Sequence, residues 1–180
     1  MASPEALDFL LTRRSRPAKL LRAPAPGREE LMRLLTAAVR VPDHGKLEPW
    51  RFVVLEGAAL ARFARAIRAR ATETGQDADK GALAFEQAPM AVAVVGSPKP
   101  SEKIPAQEQM LSAANVALSL LNAALAAGWG ASWLTGWAAY SPPVAAAFGA
   151  REGDTIVGYF FLGTPARPLD ERPRSEYGDV

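Results

Sequence analysis

A long apolar segment in the second half of the chain limits the possible folds most strongly. From residue 105 to residue 128 it reads PAQEQMLSAANVALSLLNAALAAG, which predicts one long helix that begins at the proline and ends at the glycine. From residue 110 to residue 127 its side chains are apolar or small nearly all round. A helix of this kind must be covered on every side. Because 180 residues can hardly cover it completely, we expect it to lie partly in a subunit interface.

Shorter periodic segments surround this helix and predict a mixed arrangement of strands and helices. Strands are predicted by WRFVVLEG, APMAVAVVGSP, ASWLTG and DTIVGYFFLG, and the second of these is continuous enough to be buried on both faces. Helices are predicted by EALDFLLTRR, where Ser3 is expected to cap the first turn, and by REELMRLLTAAVR, AALARFARAIRARA and SPPVAAAFG. SRPAKLLRAPAPG and TETGQDADKG are predicted as loops. We find no linker or repeat, so residues 1–180 are expected to form a single domain with helices layered on a sheet.

The composition and the missing motifs exclude several kinds of chemistry. The chain has no cysteine, which excludes disulfides, thiolate nucleophiles and cysteine-ligated metals. It has one histidine and none of the glycine-rich phosphate loops or serine elbows of known enzyme classes, so a zinc site or a catalytic triad is not expected. A net charge of +2 is small for a nucleic-acid binder, and neither a signal peptide nor a membrane span is predicted. We expect a soluble cytoplasmic protein whose chemistry comes from a cofactor.

Basic residues are concentrated near the N-terminus. No acid occurs between Asp8 and Glu29, and six basic residues do: Arg13, Arg14, Arg16, Lys19, Arg22 and Arg28. Adjacent arginines at a helix end can bind a phosphate group, and Ser15 adds a hydroxyl. The alternative is a solvated helix end whose cations stabilise the helix dipole.

The single histidine, His44, lies in the segment RVPDHGKLEPW together with Arg40 and Lys46. No partner for acid–base or metal chemistry is evident elsewhere in the chain. The ring is therefore expected either to fix a turn through a backbone hydrogen bond or to contact a bound group.

Four segments, in order along the chain, resemble the nitroreductase family. They are RRS, RVPDHGKLEPWRFVV, GASWLTG and IVGYFFLGTP, and the chain is most similar to the small YdjA-like members of that family. The resemblance implies an α+β fold with a central mixed, mainly antiparallel sheet flanked by helices. It also implies a homodimer that binds FMN at two sites in the subunit interface. The implied reaction is ping-pong, in which NADH or NADPH supplies electrons and a nitroaromatic or quinone-type small molecule accepts them.

The resemblance also implies roles for individual residues. Arg13, Arg14 and Ser15 match the first FMN-binding segment, and Arg40 and His44 match flavin contacts that come from the partner subunit. Residues of the third segment match positions near the flavin ring, and the end of the long helix, which itself carries no charge, matches a region assigned to the nicotinamide nucleotide. The third segment contributes Trp133, Leu134 and Thr135, and the helix end contributes Ala123, Ala124, Leu125, Ala126, Ala127 and Gly128.

Two positions depart from the family pattern. Similar small members carry a basic residue where this chain has Leu134, and many relatives have glutamine where it has Glu48. These departures motivate a second interpretation, a flavin-binding carrier or redox sensor without significant turnover. A third interpretation is a protein that binds anionic polymers through the basic segment. The sequence leaves open which of Arg16 and Lys19 reaches the cofactor.

Overall fold

Five strands form one sheet at the centre of the molecule, and every pairing between them is antiparallel among the residues that the structure describes. The structure is a computed structural model, and it describes residues 3–147, 149–171 and 173. The strand order is β1-β5-β3-β2, and β4 also pairs with β5. The strands are β1 (Leu21–Arg22), β2 (Trp50–Glu56), β3 (Met90–Gly96), β4 (Gly130–Leu134) and β5 (Thr155–Pro165).

Helices cover both faces of this sheet, as predicted for the fold class. They are α1 (Pro4–Thr12), α2 (Arg28–Ala38), α3 (Ala58–Thr74), α4 (Ala78–Gln87), α5 (Ala106–Ala126) and α6 (Pro142–Ala147). The central strand β3 is buried along its whole length, which confirms the prediction from its continuous apolar sequence. Its side chains alternate between the two faces, so that Ala93 and Val95 join one core while Val92 and Val94 join the other.

An aromatic cluster fills the core between the sheet and helices α3 and α4. Phe85 lies at its centre, with ring centroids 5.0 Å from Phe63, 5.0 Å from Tyr159 and 4.9 Å from Phe161. The tilted and edge-on geometries are those that aromatic pairs prefer. Ile67 of α3 is fully buried in the same core.

Helices α2 and α5 cover the opposite face of the sheet less completely. Val116, Leu120 and Ala124 of α5 are fully buried against β3 and β5. The outer face of the same helix leaves Leu111 61% exposed and Leu118 44% exposed. By length and composition alone α5 is long and apolar enough to cross a membrane, and in the structure it packs on the sheet and on α2. A single chain thus covers only part of this helix.

Two elements were not predicted from the sequence, and Ser3 occupies the predicted N-cap position of α1 without the expected side-chain hydrogen bond. The segment predicted as a polar loop contains the end of α3, which runs to Thr74, and the start of α4. The Asp77 carboxylate caps α4 by accepting hydrogen bonds from the backbone N–H groups of Asp79 and Lys80, at 3.0 and 3.1 Å. The short strand β1 occurs in the segment predicted as a basic loop. The Ser3 side chain makes no capping hydrogen bond to α1.

Helix α4 also changes the interpretation of the basic residues of α3. The helical spacing of Arg62, Arg65 and Arg68 in the sequence indicates a solvated basic face. In the structure, Arg68 forms ion pairs with two carboxylates of α4. Its guanidinium lies 2.6 Å from Glu86 and 2.9 Å from Asp79. These pairs join α3 to α4 across the outer surface.

Candidate functional site

The basic segment after α1 lies beside β4. Arg13 ends the helix because its backbone is extended (φ −55°, ψ 141°). Its Nη2 donates a hydrogen bond to Ser15 Oγ at 2.9 Å, and the Arg16 N–H donates to the carbonyl of Ala131 in β4 at 2.7 Å. Residues 13–16 are half-buried. The predicted phosphate-binding residues are therefore held against a strand and do not form a free helix end.

The neighbouring basic residues have different surroundings. Arg14 Nε donates to the carbonyl of Asp170 at 3.3 Å, and its guanidinium lies 3.9 Å from the Glu171 carboxylate. Lys19 is exposed on a short 3₁₀ helix (Ala18–Leu20). Arg16 is half-buried beside Arg14, so the structure groups it, and not Lys19, with the predicted phosphate-binding residues.

The end of β4 presents backbone and two exposed side chains. Trp133 is half-buried, and its Nε1 donates to the carbonyl of Val157 at 3.2 Å. The indole covers Gly158, where it leaves no room for a Cβ atom. Leu134 and Thr135 are exposed at the strand end. The Trp133 side chain therefore packs in the core, and this segment can offer a ligand its backbone groups and the side chains of Leu134 and Thr135.

The end of α5 lines a cleft with α2. The helix ends at Ala126, and Gly128 adopts a left-handed conformation (φ 86°) that reverses the chain. The cleft has a volume of about 490 Å³ and includes the charged side chains of Glu30 and Arg33. Its other lining residues are Leu34, Ala37, Ala123, Ala126, Ala127 and Trp129. The predicted nucleotide region itself carries no charge, but α2 supplies it with a guanidinium. Arg33 was not predicted from the sequence, although its spacing from Glu30 and Ala37 places the three residues on one helix face.

The His44 ring has a carboxylate partner, contrary to the sequence analysis. His44 Nδ1 lies 2.8 Å from Glu108 Oε1 in the first turn of α5. Both side chains are partly exposed, at 61% and 46%. The two residues are 64 positions apart, and no local pattern in the sequence relates them. The predicted backbone hydrogen bond that would fix a turn is replaced by this contact with a side chain.

The residues that follow His44 form a tightly turned loop. Gly45, Lys46 and Glu48 all have positive φ angles, of 69°, 52° and 47°. Such angles are uncommon for residues other than glycine. The loop is held by the Asp43 carboxylate, which accepts a hydrogen bond from the Glu48 N–H at 2.8 Å. The Glu48 side chain itself is exposed.

The predicted site residues fall into two groups within one chain. Residues 13–16 lie beside β4, just beyond the C-terminal end of α5, and His44 lies at the start of α5. Glu108 and Ala126 are separated by about 27 Å along the helix axis, given the rise of 1.5 Å per residue. Arg40 follows α2 and is exposed. The structure thus brings the segment of residues 13–16 to β4 through the hydrogen bond between Arg16 and Ala131, but it does not bring His44 to this segment.

The carboxyl groups with shifted pKa values lie elsewhere. Burial of Asp154 raises its pKa. Hydrogen bonds from the Arg151 N–H and the Arg51 guanidinium lower the pKa by a larger amount, so the net pKa is below its ordinary range. The Arg68 guanidinium lowers the pKa of Glu86. Burial raises the pKa of Tyr159, whose hydroxyl donates to the Ala138 carbonyl at 3.2 Å. These groups stabilise the face of the sheet that α3 and α4 cover, and the predicted site residues do not include them.

Comparison with known proteins relates this fold and these residues to one family. The sequence model of the nitroreductase family matches residues 10–164. The Escherichia coli (strain K12) protein named "Putative NAD(P)H nitroreductase YdjA" is 40% identical over 164 residues, which are 89% of this chain and 88% of that protein.

Solved structures agree with the fold. A nitroreductase-like family protein from Bacillus cereus superimposes with a TM-score of 0.79 at 20% identity, over 98% of this chain and 94% of that one. The FMN- and NADPH-dependent nitroreductase NfnB from Sphigopyxis sp. strain HMH superimposes with a TM-score of 0.73 at 20% identity, over 96% and 94%. The family match covers most of the chain, and the described sheet and helices are those of that fold. This chain therefore belongs to the nitroreductase family.

Proposed function

We propose that this protein is an FMN-dependent NAD(P)H oxidoreductase that acts as a soluble cytoplasmic homodimer. Its acceptors are proposed to be small nitroaromatic or quinone-type molecules, reduced in a ping-pong reaction. Family membership and the 40% identity to a protein named for NAD(P)H nitroreductase activity support the reaction class. The name of NfnB, which has the same fold, supports FMN as the cofactor.

The observation that carries this proposal is the separation of the two groups of site residues along α5. Residues 13–16 lie beyond the end of this helix, whereas His44 is bonded to Glu108 at its start. Flavin mononucleotide is shorter than the helix, so one chain cannot bring both groups to a single cofactor. A second copy related by a two-fold axis, with its α5 antiparallel to the first, would bring the start of one helix beside the end of the other. This favours two sites, each built from both subunits.

The exposed face of α5 supports the same arrangement. Leu111, Asn115, Leu118 and Asn122 follow one another at spacings of three and four residues, which places them along one side of the helix. The Oδ1 atom of Asn122 is buried and has no hydrogen-bond partner within the described part of the chain. Contact with a second copy would bury the exposed leucines and would provide a hydrogen-bond partner for the Asn122 amide.

The residues beside β4 fit the phosphate of FMN. Arginine side chains donate up to five hydrogen bonds each, Arg13 and Arg14 are half-buried, and the Arg13 guanidinium is hydrogen-bonded to the Ser15 hydroxyl. We propose that these three residues bind the phosphate, that the segment of Trp133, Leu134 and Thr135 contacts the ring, and that Arg40 and His44 come from the other subunit. FMN, when bound, supplies a ring that takes electrons from a reduced nicotinamide and returns them to an acceptor. The protein contributes binding, orientation and an apolar slot that the two substrates occupy in turn.

The cleft at the end of α5 is the proposed location of the nicotinamide nucleotide. Ala123, Ala126, Ala127 and Trp129 provide an apolar wall, whereas Ala124 is buried in the core. Arg33 provides a cation for a phosphate or pyrophosphate group. Leu34 and Ala37 complete the wall on the side of α2.

FMN uptake and turnover by the purified protein test the proposal. We expect flavin absorbance that persists through gel filtration, and steady-state oxidation of NADH or NADPH with menadione or a nitrofuran. Arg13→Gln should weaken FMN binding at least about tenfold, because charge-assisted hydrogen bonds to the phosphate are lost. Arg62→Gln removes the same charge from an exposed position on α3 and should leave FMN binding unchanged. A protein that takes up no FMN would refute the proposal.

The exposed side chain of Leu134 keeps a second candidate open, a flavin carrier or redox sensor. Leucine at the strand end can offer only its backbone and an apolar surface, whereas the resemblance to the small members of the family implies a basic residue at this position. A protein that binds FMN but oxidises neither NADH nor NADPH would support this candidate over the enzyme.

A further inference from the structure

The loop that carries His44 is attached to the start of α5 at several points. His44 Nδ1 lies 2.8 Å from Glu108 Oε1. Gly45 packs so closely under Ile104 that a Cβ atom would lie 2.6 Å from Ile104 Cδ1. At the other end of the loop, the Pro49 carbonyl accepts a hydrogen bond from the Ser97 N–H at 2.8 Å. The position of the loop is therefore set by α5 and by the segment that precedes it.

The attachment point is itself rigid. Gln109, next to Glu108, is only 2% exposed and makes three hydrogen bonds to the segment before the helix. Its Oε1 accepts from the Lys99 N–H at 2.8 Å, and its Nε2 donates to the carbonyls of Lys99 and Ile104, at 2.9 and 3.1 Å. These hydrogen bonds fix the backbone of the turn that carries the Glu108 side chain.

The chemistry of the contact determines which ring atom of His44 remains available. A carboxylate only accepts hydrogen bonds, so the proton of the contact lies on Nδ1. The Nε2 atom then faces away from Glu108, with a lone pair when the ring is neutral and an N–H group when it is protonated. Within the described residues, the ring makes its hydrogen bond through Nδ1 alone.

We propose that Glu108 is a positioning residue for His44. It holds the proton on Nδ1 and directs Nε2 out of its own chain, toward the flavin site of the other subunit. The inference rests on the proposed function, in which His44 is a flavin contact. Without the carboxylate, a ring that is 61% exposed on a loop of left-handed residues has no partner to select one rotamer or one tautomer.

The tautomer of the ring tests this inference without flavin. Because the chain has a single histidine, long-range ¹H–¹⁵N correlation spectra of the flavin-free protein contain one imidazole. At alkaline pH we expect the Nδ1–H tautomer in the wild type and a shift toward Nε2–H, which free histidine favours, in Glu108→Ala. Glu102→Ala removes an exposed glutamate from the segment before α5 and should leave the spectrum unchanged. An Nε2–H tautomer in the wild type would overturn the inference.

A double-mutant cycle on FMN affinity tests whether Glu108 acts through His44. Glu108→Gln keeps the shape of the side chain and removes its charge, and we expect it to weaken FMN binding by up to about fivefold, as for an exposed ion pair. In a His44→Gln background the same change should have no effect. An equal effect in both backgrounds would mean that Glu108 acts independently of His44, which contradicts the inference. A wild type that takes up no FMN refutes the proposed function instead, and the tautomer then still decides the role of Glu108.

Discussion

The two faces of the sheet differ in how completely one chain covers them. The face under α3 and α4 is closed: Phe85 and Tyr159 are buried in an aromatic cluster, and Arg68 pairs with Glu86 across the outer surface. The face under α2 and α5 is open, since Leu111 and Leu118 remain exposed. All three leucines of α1 are also exposed, and no residue of that helix is buried.

The closed face contains the groups that stabilise the fold, whereas the open face contains residues with a proposed role in binding. The closed face holds the carboxyl groups with shifted pKa values, and their shifts follow from burial and structural ion pairs. His44, Arg40 and the end of α5 belong to the open face and its rim. A chain that binds a ligand between two copies, as we propose for this protein, must leave one face exposed for contact with the second copy. The exposed leucines of α5 lie on that face.

Truncating the centre of the closed face should have the largest effect. Phe85→Ala removes the ring that contacts Phe63, Tyr159 and Phe161, and it should lower the free energy of unfolding by about 3–5 kcal/mol. Leu83→Ala, at a 38% exposed position of the same helix, should cost much less. Chemical denaturation of both variants gives the comparison. Equal losses would show that the closed face does not carry the stability assigned to it.

The ion pair at the rim of the closed face should have the next largest effect. Arg51 Nη2 lies 2.7 Å from Asp154 Oδ2, and Asp154 is nearly buried. Asp154→Asn should cost about 1.5 kcal/mol at neutral pH, the lower end for a hydrogen bond to a charged group. Because the folded pKa is lowered from 3.8, this stabilisation is present above pH 3.8 and is lost as the pH falls through the folded pKa.

Unfolding curves at several pH values measure this effect. The wild type and Asp154→Asn should converge in acid, since a protonated carboxyl and an amide then have similar hydrogen bonds. A difference that stays constant down to the lowest pH at which the protein folds would mean that the charge of Asp154 is not its source.

A charge on the open face should affect association more than folding. Leu118→Glu should weaken dimerisation at least about tenfold, because each dimer loses the burial of two leucines and gains two unpaired carboxylates. Leu83→Glu places the same charge on the closed face, at a position with similar exposure, and should leave the dimer intact. Sedimentation velocity over a range of concentrations measures both. Dimerisation that withstands Leu118→Glu would place the subunit interface elsewhere.

The smallest expected effect concerns Glu48 on the loop at the rim of the open face. Removing an exposed anion near a phosphate or a reduced flavin should favour binding, and Glu48→Gln should tighten FMN binding by up to about fivefold. Glu56→Gln, at an exposed position in β2, is the matched control. Fluorescence titration of FMN measures both affinities. Unchanged or weaker binding by Glu48→Gln would mean that this side chain is not near the flavin.

The sequence predicted the strongly periodic parts of the fold and missed the weakly periodic ones. β3 and α5 were predicted because long apolar segments can be stable only when buried. Helix α4 was missed because it begins with polar residues and contains Gly81, which also signal a loop. It forms because Asp77 caps it and because Phe85 reaches the aromatic core. Its stability comes from packing, which local propensity does not register.

The same distinction applies to the candidate site. The motif around Arg13, Arg14 and Ser15 identified a basic segment, and the structure fixes it against β4. The partners Glu108 and Arg33 were missed because each is brought to the site by a different helix. The role of His44 in flavin binding stays a prediction.

The sequence by itself determined the family, the cysteine-free and weakly basic character of the chain, and a long apolar helix that one chain covers only in part. These properties depend on residue type and local spacing, which can be determined from the sequence without knowledge of the fold. Only the tertiary structure decided that His44 pairs with Glu108 and that the predicted site residues lie near opposite ends of α5. Contacts between residues far apart in the sequence depend on how the sheet and helices pack, and no local pattern records them.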